Sequence, residues 1–434
     1  MEKENEPYSS KVICVIGLGY VGLPLALLFA KKKMNVIGLD LVEEKVKMLN
    51  NGQSYLPDVQ DDEIQKALNE GFFTATTDYE AVKKAEVIVI CVPTPLTDYG
   101  TPDLSYLQSV SMTLASLLQK DQLVILESST YPGTTKEVLQ PILEKSNLKA
   151  GRDFFLAYSP ERIDPGNKQF KEVDKIPKIV SGVSPQCKQT VFDFYNQVFD
   201  QVVLVSTPEV AEFTKLLENS YRFINISFIN ELAIMCDQLG IDLWESIEAA
   251  STKPYGFVPF YPGPGIGGHC IPVDPLYLAW KGTRANVDNK FIHLADEINH
   301  IIEKYVISQI ETFLGGDLQN KAILLYGIAY KKDIDDYRES PALFILHSLT
   351  DKGAKVSFHD PFISEVVAAG ERIQSVNLNV EILSKSDLVA ILTDHSALPV
   401  QMILDHSKLV YDTRNVTRNF KGNAKVFRLG GGES

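Results

Sequence analysis

Val12-Ile13-Cys14-Val15-Ile16-Gly17-Leu18-Gly19-Tyr20-Val21-Gly22 stands near the start of the chain, and Asp40 follows about twenty residues after the second glycine. The apolar run 12–16 reads as a fully buried parallel strand, 22–32 as a helix, and 35–39 as a second strand ending at Asp40. Glycines at this spacing between strand and helix permit a tight turn, close approach of backbone to a pyrophosphate, and close helix–strand packing, while the helix N-terminus adds partial positive charge. A carboxylate at Asp40 accepts from an adenosine ribose hydroxyl and repels a 2′-phosphate, so the pattern predicts NAD rather than NADP. The competing reading is a glycine turn packed for its own sake, with Asp40 as a cap. Residues 12–30 followed by Lys31-Lys32-Lys33 also imitate a membrane span or signal. The acidic Glu2, Glu4 and Glu6 and the three glycines favour strand–turn–helix instead.

Outward from this unit, strand-like runs at 87–92, 123–127 and 154–157 alternate with helical patterns, so 11–206 reads as a doubly wound sheet. From Pro208 a helical pattern with Val210, Phe213, Leu216, Leu217, Phe223, Ile224, Phe228 and Leu232 runs to about Leu239 and closes at Gly240. A helix apolar on more than one face is a buried spine or a subunit interface, which predicts a homodimer. A second α/β pattern starts at Lys321, with strands at 322–326, 355–359, 388–392 and 408–411. Ser340-Pro341 forms an N-cap and first-turn proline. Its first turn, Gly327-Ile328-Ala329-Tyr330, lacks the glycine fingerprint and predicts a different ligand. The expected fold is α/β. An NAD-binding Rossmann domain (1–206) and a C-terminal Rossmann-like domain for another ligand (316–434) flank a central helical dimerisation region with the cysteine loop (207–315).

A formal charge of −14 over 434 residues argues against a nucleic-acid binder, so an anionic ligand must be held by local donors. Five scattered cysteines fit a reducing compartment, here the cytoplasm. Their spacing with the seven histidines gives no metal site. Cys14 and Cys91 fall in apolar strands, and Cys187 and Cys236 in helices. Only Cys270 lies in a glycine-rich turn, 263–274, where a neighbouring base can deprotonate it. On its own that cysteine is equally well a small apolar residue. His269 either tunes Cys270 or points away and caps backbone.

Further ordered motifs are Val92-Pro93-Thr94-Pro95, Ser129-Thr130-Tyr131-Pro132-Gly133, Ser159-Pro160-Glu161-Arg162, Lys215-Leu216-Leu217-Glu218-Asn219, 267–274 and 330–341. With the glycine fingerprint they make the whole chain resemble the UDP-glucose/UDP-N-acetylhexosamine 6-dehydrogenase family. The resemblance implies two successive hydride transfers to NAD+, with Cys270 attacking the first-formed aldehyde to give a thiohemiacetal and then a thioester that water cleaves. Lys215 and Asn219, spaced i, i+4, share a helix face and can donate to the developing oxyanion. Asp274 resembles the aspartate that works with this lysine in proton transfer, Glu161 the base for thioester hydrolysis, and Thr130 the hydroxyl that positions water. The resemblance also places NAD on Gly17, Gly19, Tyr20, Val21, Gly22 and Asp40, and on Lys45, Pro93, Thr94, Thr130 and Arg338. It places the sugar nucleotide on Glu161, Arg162, Lys215, Asn219, Gly267 and Lys331. Lys331 and Arg338 read by themselves as a solvated charged loop.

Arg162 after the glutamate, and Val273 before the aspartate, depart from the glucose-oxidising branch and resemble the N-acetylhexosamine branch. Residues 159–167, with Ile176-Pro177-Lys178, most resemble enzymes acting on UDP-N-acetylglucosamine. Arg162 can donate to an acetamido carbonyl or to a diphosphate. UDP-N-acetylmannosamine, UDP-N-acetylgalactosamine and UDP-glucose stay open as substrates. A hydroxy-acid dehydrogenase and a silent sugar-nucleotide binder stay open as other classes.

Overall fold

The computed structural model describes residues 11–56, 58–97, 100–162, 173–268, 271–368 and 371–432. They divide into two compact units, Met1–Glu218 with Leu276–Val287, and Asn219–Pro275 with Asp288–Ser434.

The first unit holds an eight-stranded sheet in the order β3-β2-β1-β4-β5-β6-β7-β8. The strands are β1 Val12–Ile16, β2 Asn35–Leu39, β3 Phe73–Thr76, β4 Val87–Ile90, β5 Leu123–Leu126, β6 Phe155–Tyr158, β7 Lys178–Gly182 and β8 Val202–Leu204. β1 pairs parallel to both β2 and β4, so the strand order reverses there, at the point where doubly wound sheets bind nucleotides. The pairing of β6 with β7 is antiparallel, which lets two further strands extend the sheet. β4 and β5 are buried at every position, as continuous apolar runs covered on both faces should be. The helix Gly22–Lys31 packs on β1 and β2 and buries Leu25, Ala26 and Phe29 in the core, where Phe29 meets Phe194 at 5.4 Å between ring centroids. The membrane-like stretch 12–30 is thus a strand, a turn and a core helix. No helix among the described residues is long and apolar enough to cross a membrane.

The second unit holds a five-stranded sheet ordered β10-β9-β13-β14-β15, parallel throughout. Its strands are β9 Ala322–Tyr326, β10 Lys355–His359, β13 Leu388–Ile391, β14 Leu409–Asp412 and β15 Lys425–Arg428. The ribbon β11 Glu365–Ala368 and β12 Glu371–Gln374 is inserted after β10. This is the 2-1-3-4-5 order, with its switch point between β9 and β13. The C-terminal unit therefore repeats the winding principle of the first but not its strand order. Ser340 caps the helix Pro341–Asp351 through Ala342 N–H, as the Ser-Pro pair predicts.

The helix Pro208–Leu239 runs unbroken for 32 residues and stops at Gly240, where φ is +69°. The boundary between the units falls inside it. Its predicted burial holds for one face. Leu216 and Phe223 are fully buried, but Val210, Phe213, Leu217 and Phe228 are about half exposed.

Candidate active site

At the first turn the three glycines do different work. Gly17 has φ +89°, and a Cβ there would lie 2.5 Å from the Cys91 carbonyl oxygen. At Gly22 it would lie 1.8 Å from the Gly17 carbonyl oxygen, whereas at Gly19 it would meet nothing within 4 Å. Two glycines are therefore imposed by packing, and the third leaves open backbone at a helix N-terminus, the shape a dinucleotide diphosphate needs. Tyr20 and Val21 pack partly buried against the core beneath. Asp40 also caps the turn, accepting from Leu18 N at 2.9 Å and Val42 N at 3.0 Å. A carboxylate offers about four acceptor sites, so this role leaves room for a ribose diol. Tyr55 donates to the Leu18 carbonyl, and Lys45 lies 5.3 Å over the Tyr55 ring.

Beyond the switch point Pro93 is exposed and Thr94 is buried, its hydroxyl donating to Ser129 O at 2.6 Å. Tyr277 donates to the carbonyls of Thr94 and Pro95. Thr130 is fully buried and donates to Thr134 Oγ1 at 2.5 Å. The segment after it is clamped by Glu212, which takes Gly133 N at 2.6 Å, Thr135 N at 2.8 Å and Thr135 Oγ1 at 2.6 Å. Burial, outweighing these three donors, pushes the Glu212 carboxyl up to about 7.

Glu161 is buried after β6 and accepts from Arg162 N at 2.5 Å. Its Oε2 lies 3.3 Å from Lys178 Nζ, which also sits 2.6 Å from Glu127 Oε2. The Arg162 guanidinium forks onto Glu218 at 3.2 and 2.7 Å and donates to Pro177 O at 3.0 Å. Its strongest donors thus already have protein partners. Lys215, on the helix Pro208–Leu239, is buried. Residues 163–167 of the sequence signature lie outside the described residues.

In the second unit Asn219 donates to Asp274 Oδ2 at 2.6 Å, with both side chains buried. The glycine loop before Asp274 is pinned by two buried asparagines. Gly263 N donates to Asn230 Oδ1 at 2.9 Å and Ile266 N to Asn299 Oδ1 at 2.7 Å. A Cβ at Gly267 would lie 2.5 Å from Glu339 O, and one at Gly268 would lie 2.6 Å from the Tyr330 ring, so these glycines admit the 330–341 segment. Cys270 and His269 lie outside the described residues. Arg338 pairs with Asp336 at 2.6 Å, and Lys331 is half-buried. Asp360, at the end of β10, accepts from Ile328 N, Ala329 N and the buried His395. That occupancy suits a unit whose first turn carries no dinucleotide fingerprint. Arg414 after β14 donates to Leu392 O at 2.9 Å, and Gly263 leaves it room.

The sequence did not single out Glu127, Tyr195, Glu212, Tyr277 or Arg414. Only their burial or their partners distinguish them, and neither is written in local pattern. Among the described residues no cluster of His, Cys, Asp and Glu could hold a metal ion.

Three domain profiles of one family match in order: the NAD binding domain over 11–199, the central domain over 209–301 and the UDP binding domain over 324–419. The chain belongs to the UDP-glucose/GDP-mannose dehydrogenase family. Like its relatives, this member is an NAD-dependent oxidoreductase of UDP-sugars. One relative is the UDP-N-acetyl-D-mannosamine dehydrogenase of Campylobacter jejuni, 35% identical over 88% of this chain and 95% of its own length. Another is the UDP-N-acetyl-D-glucosamine 6-dehydrogenase of Pseudomonas aeruginosa, 36% identical over 81% of this chain and 83% of its own. The solved structure of the UDP-D-ManNAc dehydrogenase from Pyrococcus horikoshii superposes with a TM-score of 0.88 at 31% identity, covering 98% of this chain and 100% of the other.

Proposed function

We propose that this family member oxidises the C6 hydroxymethyl group of a UDP-N-acetylhexosamine, first of all UDP-N-acetylglucosamine, to the carboxylate. The observation that carries the reading is the buried Asn219–Asp274 pair, whose aspartate stands four residues beyond Cys270 in sequence. Buried polar groups are costly unless paired, and an amide held against a carboxylate can also hold a developing oxyanion. NAD+ held by the first unit would supply the oxidant, each of two molecules in turn taking one hydride from C6. Lys215 and Asn219 donate to the C6 oxygen, and Asp274 with Lys215 carries its proton. The Cys270 thiolate attacks the aldehyde carbon, giving a thiohemiacetal and, after the second oxidation, a thioester. Thr130 holds a water from which Glu161 takes the proton as its oxygen attacks the thioester carbonyl. Gly267 and Lys331 bind the nucleotide sugar, and Arg338 reaches the NAD side. The domains 1–206, 207–315 and 316–434 are taken as the NAD-binding, central and UDP-sugar-binding parts.

The choice of sugar rests on Arg162 and Val273. With its fork on Glu218, Arg162 shapes the sugar pocket as much as it contacts an acetamido group. UDP-N-acetylmannosamine, UDP-N-acetylgalactosamine and UDP-glucose are the alternatives, and the names of the relatives favour the N-acetylated sugars. We place the enzyme in the cytoplasm as a homodimer. The four described cysteines are free and buried. Val210, Phe213, Leu217, Tyr221, Phe228, Met235 and Leu239 form an exposed stripe at helical spacing. Assays of UDP-glucose and the three UDP-N-acetylhexosamines, each with NAD+ and NADP+, test the reading. The expected result is two NADH per sugar, fastest with UDP-N-acetylglucosamine. A wide preference for UDP-glucose overturns the substrate, and one NADH per substrate or none overturns the class.

A further inference from the structure

Glu161 belongs to a sealed cluster of charge. Lys178, the first residue of β7, is 4% exposed, and its ammonium bridges Glu127 Oε2 and Glu161 Oε2 at 2.6 and 3.3 Å. Glu127, directly after β5, is fully buried, and its other oxygen accepts from the Tyr195 hydroxyl. The ammonium lies 5.4 Å from the ring centroids of both Tyr195 and Phe199. The Cys91 thiol, after β4, faces the same groups and is pushed up by burial first and then by the two carboxylates. The remaining charges nearby, Arg162 and Glu218, are paired with each other.

Two carboxylates share one ammonium here, away from water, and an uncompensated buried negative charge is costly. Burial accordingly pushes Glu127 up to about 7 against the pull of Lys178. Lys178 is itself raised, the lowering effect of burial being overcome by the two carboxylates.

We propose that Lys178 and Glu127 are positioning residues for the Glu161 carboxylate: Lys178 aims it and balances its charge, and Glu127, across the same ammonium, competes with it for that cation. This rests on the reading of Glu161 as the base of thioester hydrolysis. In that step the water oxygen bonds to the acyl carbon, its proton passes to Glu161, and the C–S bond breaks with its electron pair returning to Cys270. A structural ion pair would have no bearing on when that proton transfer switches on.

The test is the deacylation rate in single turnovers between about pH 5 and 9, normalised to the first oxidation phase, in five proteins. They are the wild type, Glu127→Gln, Lys178→Met, Lys178→Arg and Glu161→Gln. Losing the like charge in Glu127→Gln should move the acid limb of deacylation down by about one pH unit. Losing the ammonium in Lys178→Met should move it up by about as much, and Lys178→Arg should restore the wild-type limb. Opposite shifts support the proposal. Slower deacylation with unmoved limbs, or shifts in the same direction, overturns it while leaving Glu161 as the base. If Lys178→Met does not fold, the isosteric Glu127→Gln decides alone. Deacylation in Glu161→Gln as fast as in the wild type removes the base and the proposal together.

Discussion

Gly19 and Gly22 look equivalent in the fingerprint, and the packing around them separates their roles. Gly22→Ala drives a methyl into a backbone oxygen 1.8 Å away, which neither chain can yield without shifting the helix off β1. Overpacking of this kind costs about 3 kcal/mol, so the melting temperature should fall by roughly 6–12 °C. Gly19→Ala meets nothing within 4 Å and should leave the melting temperature nearly unchanged while raising KM for NAD+ about tenfold or more. Calorimetry and NAD+ titration on the pair check this, and a similar loss of stability in both would contradict it. At Asp274, an amide can still accept from Asn219 through its carbonyl oxygen but can no longer take up a proton. Asp274→Asn should lower kcat by about 100-fold with little change in KM for the sugar, read from steady-state kinetics. Asp40 illustrates what sequence conveys at this scale. Its position at the strand end is legible, but its capping bonds to Leu18 and Val42 appear only once the turn is folded.

Among elements, the long helix was the most legible, because its pattern and terminal glycine fix both ends at Pro208 and Leu239. The segment 129–135 was not, since it owes its shape to Glu212, a residue some eighty positions away whose burial nothing local announces. The glycine loop was legible as a loop and its purpose was not. Gly265, Gly267 and Gly268 admit Pro341, Glu339 and Tyr330, long-range neighbours that no spacing rule foretells. The Glu212 clamp carries a pH prediction. Burial raises its carboxyl from 4.5 to about 7, so the native state holds a proton that the unfolded chain releases earlier. The stability this contributes is complete below about 4.5 and is lost as pH rises through about 7. Glu212→Gln cannot titrate and leaves one N–H facing an amide, at a cost of about 1–3 kcal/mol. The wild type should therefore melt above the variant by a margin that is wider near pH 5.5 than near pH 8. A margin that widens with pH would contradict the burial argument.

For the whole molecule, two doubly wound sheets with different strand orders follow from two βαβ starts, one with glycines that open a phosphate cradle and one whose strand-end aspartate is taken by its own turn and His395. The stripe from Val210 to Leu239 is one apolar surface that the chain leaves exposed, and sedimentation of the wild type should give a dimer. Leu217→Lys with Phe228→Lys should give folded monomers, whereas a monomeric wild type would contradict the assignment. The central claim is a covalent route through Cys270, and intact-protein mass spectrometry of Glu161→Gln, quenched after mixing with NAD+ and UDP-N-acetylglucosamine, tests it most directly. Two NADH per active site and a sugar-nucleotide acyl adduct on the peptide that carries Cys270 are expected. Continued turnover with no adduct, or full activity in Cys270→Ala, would contradict it.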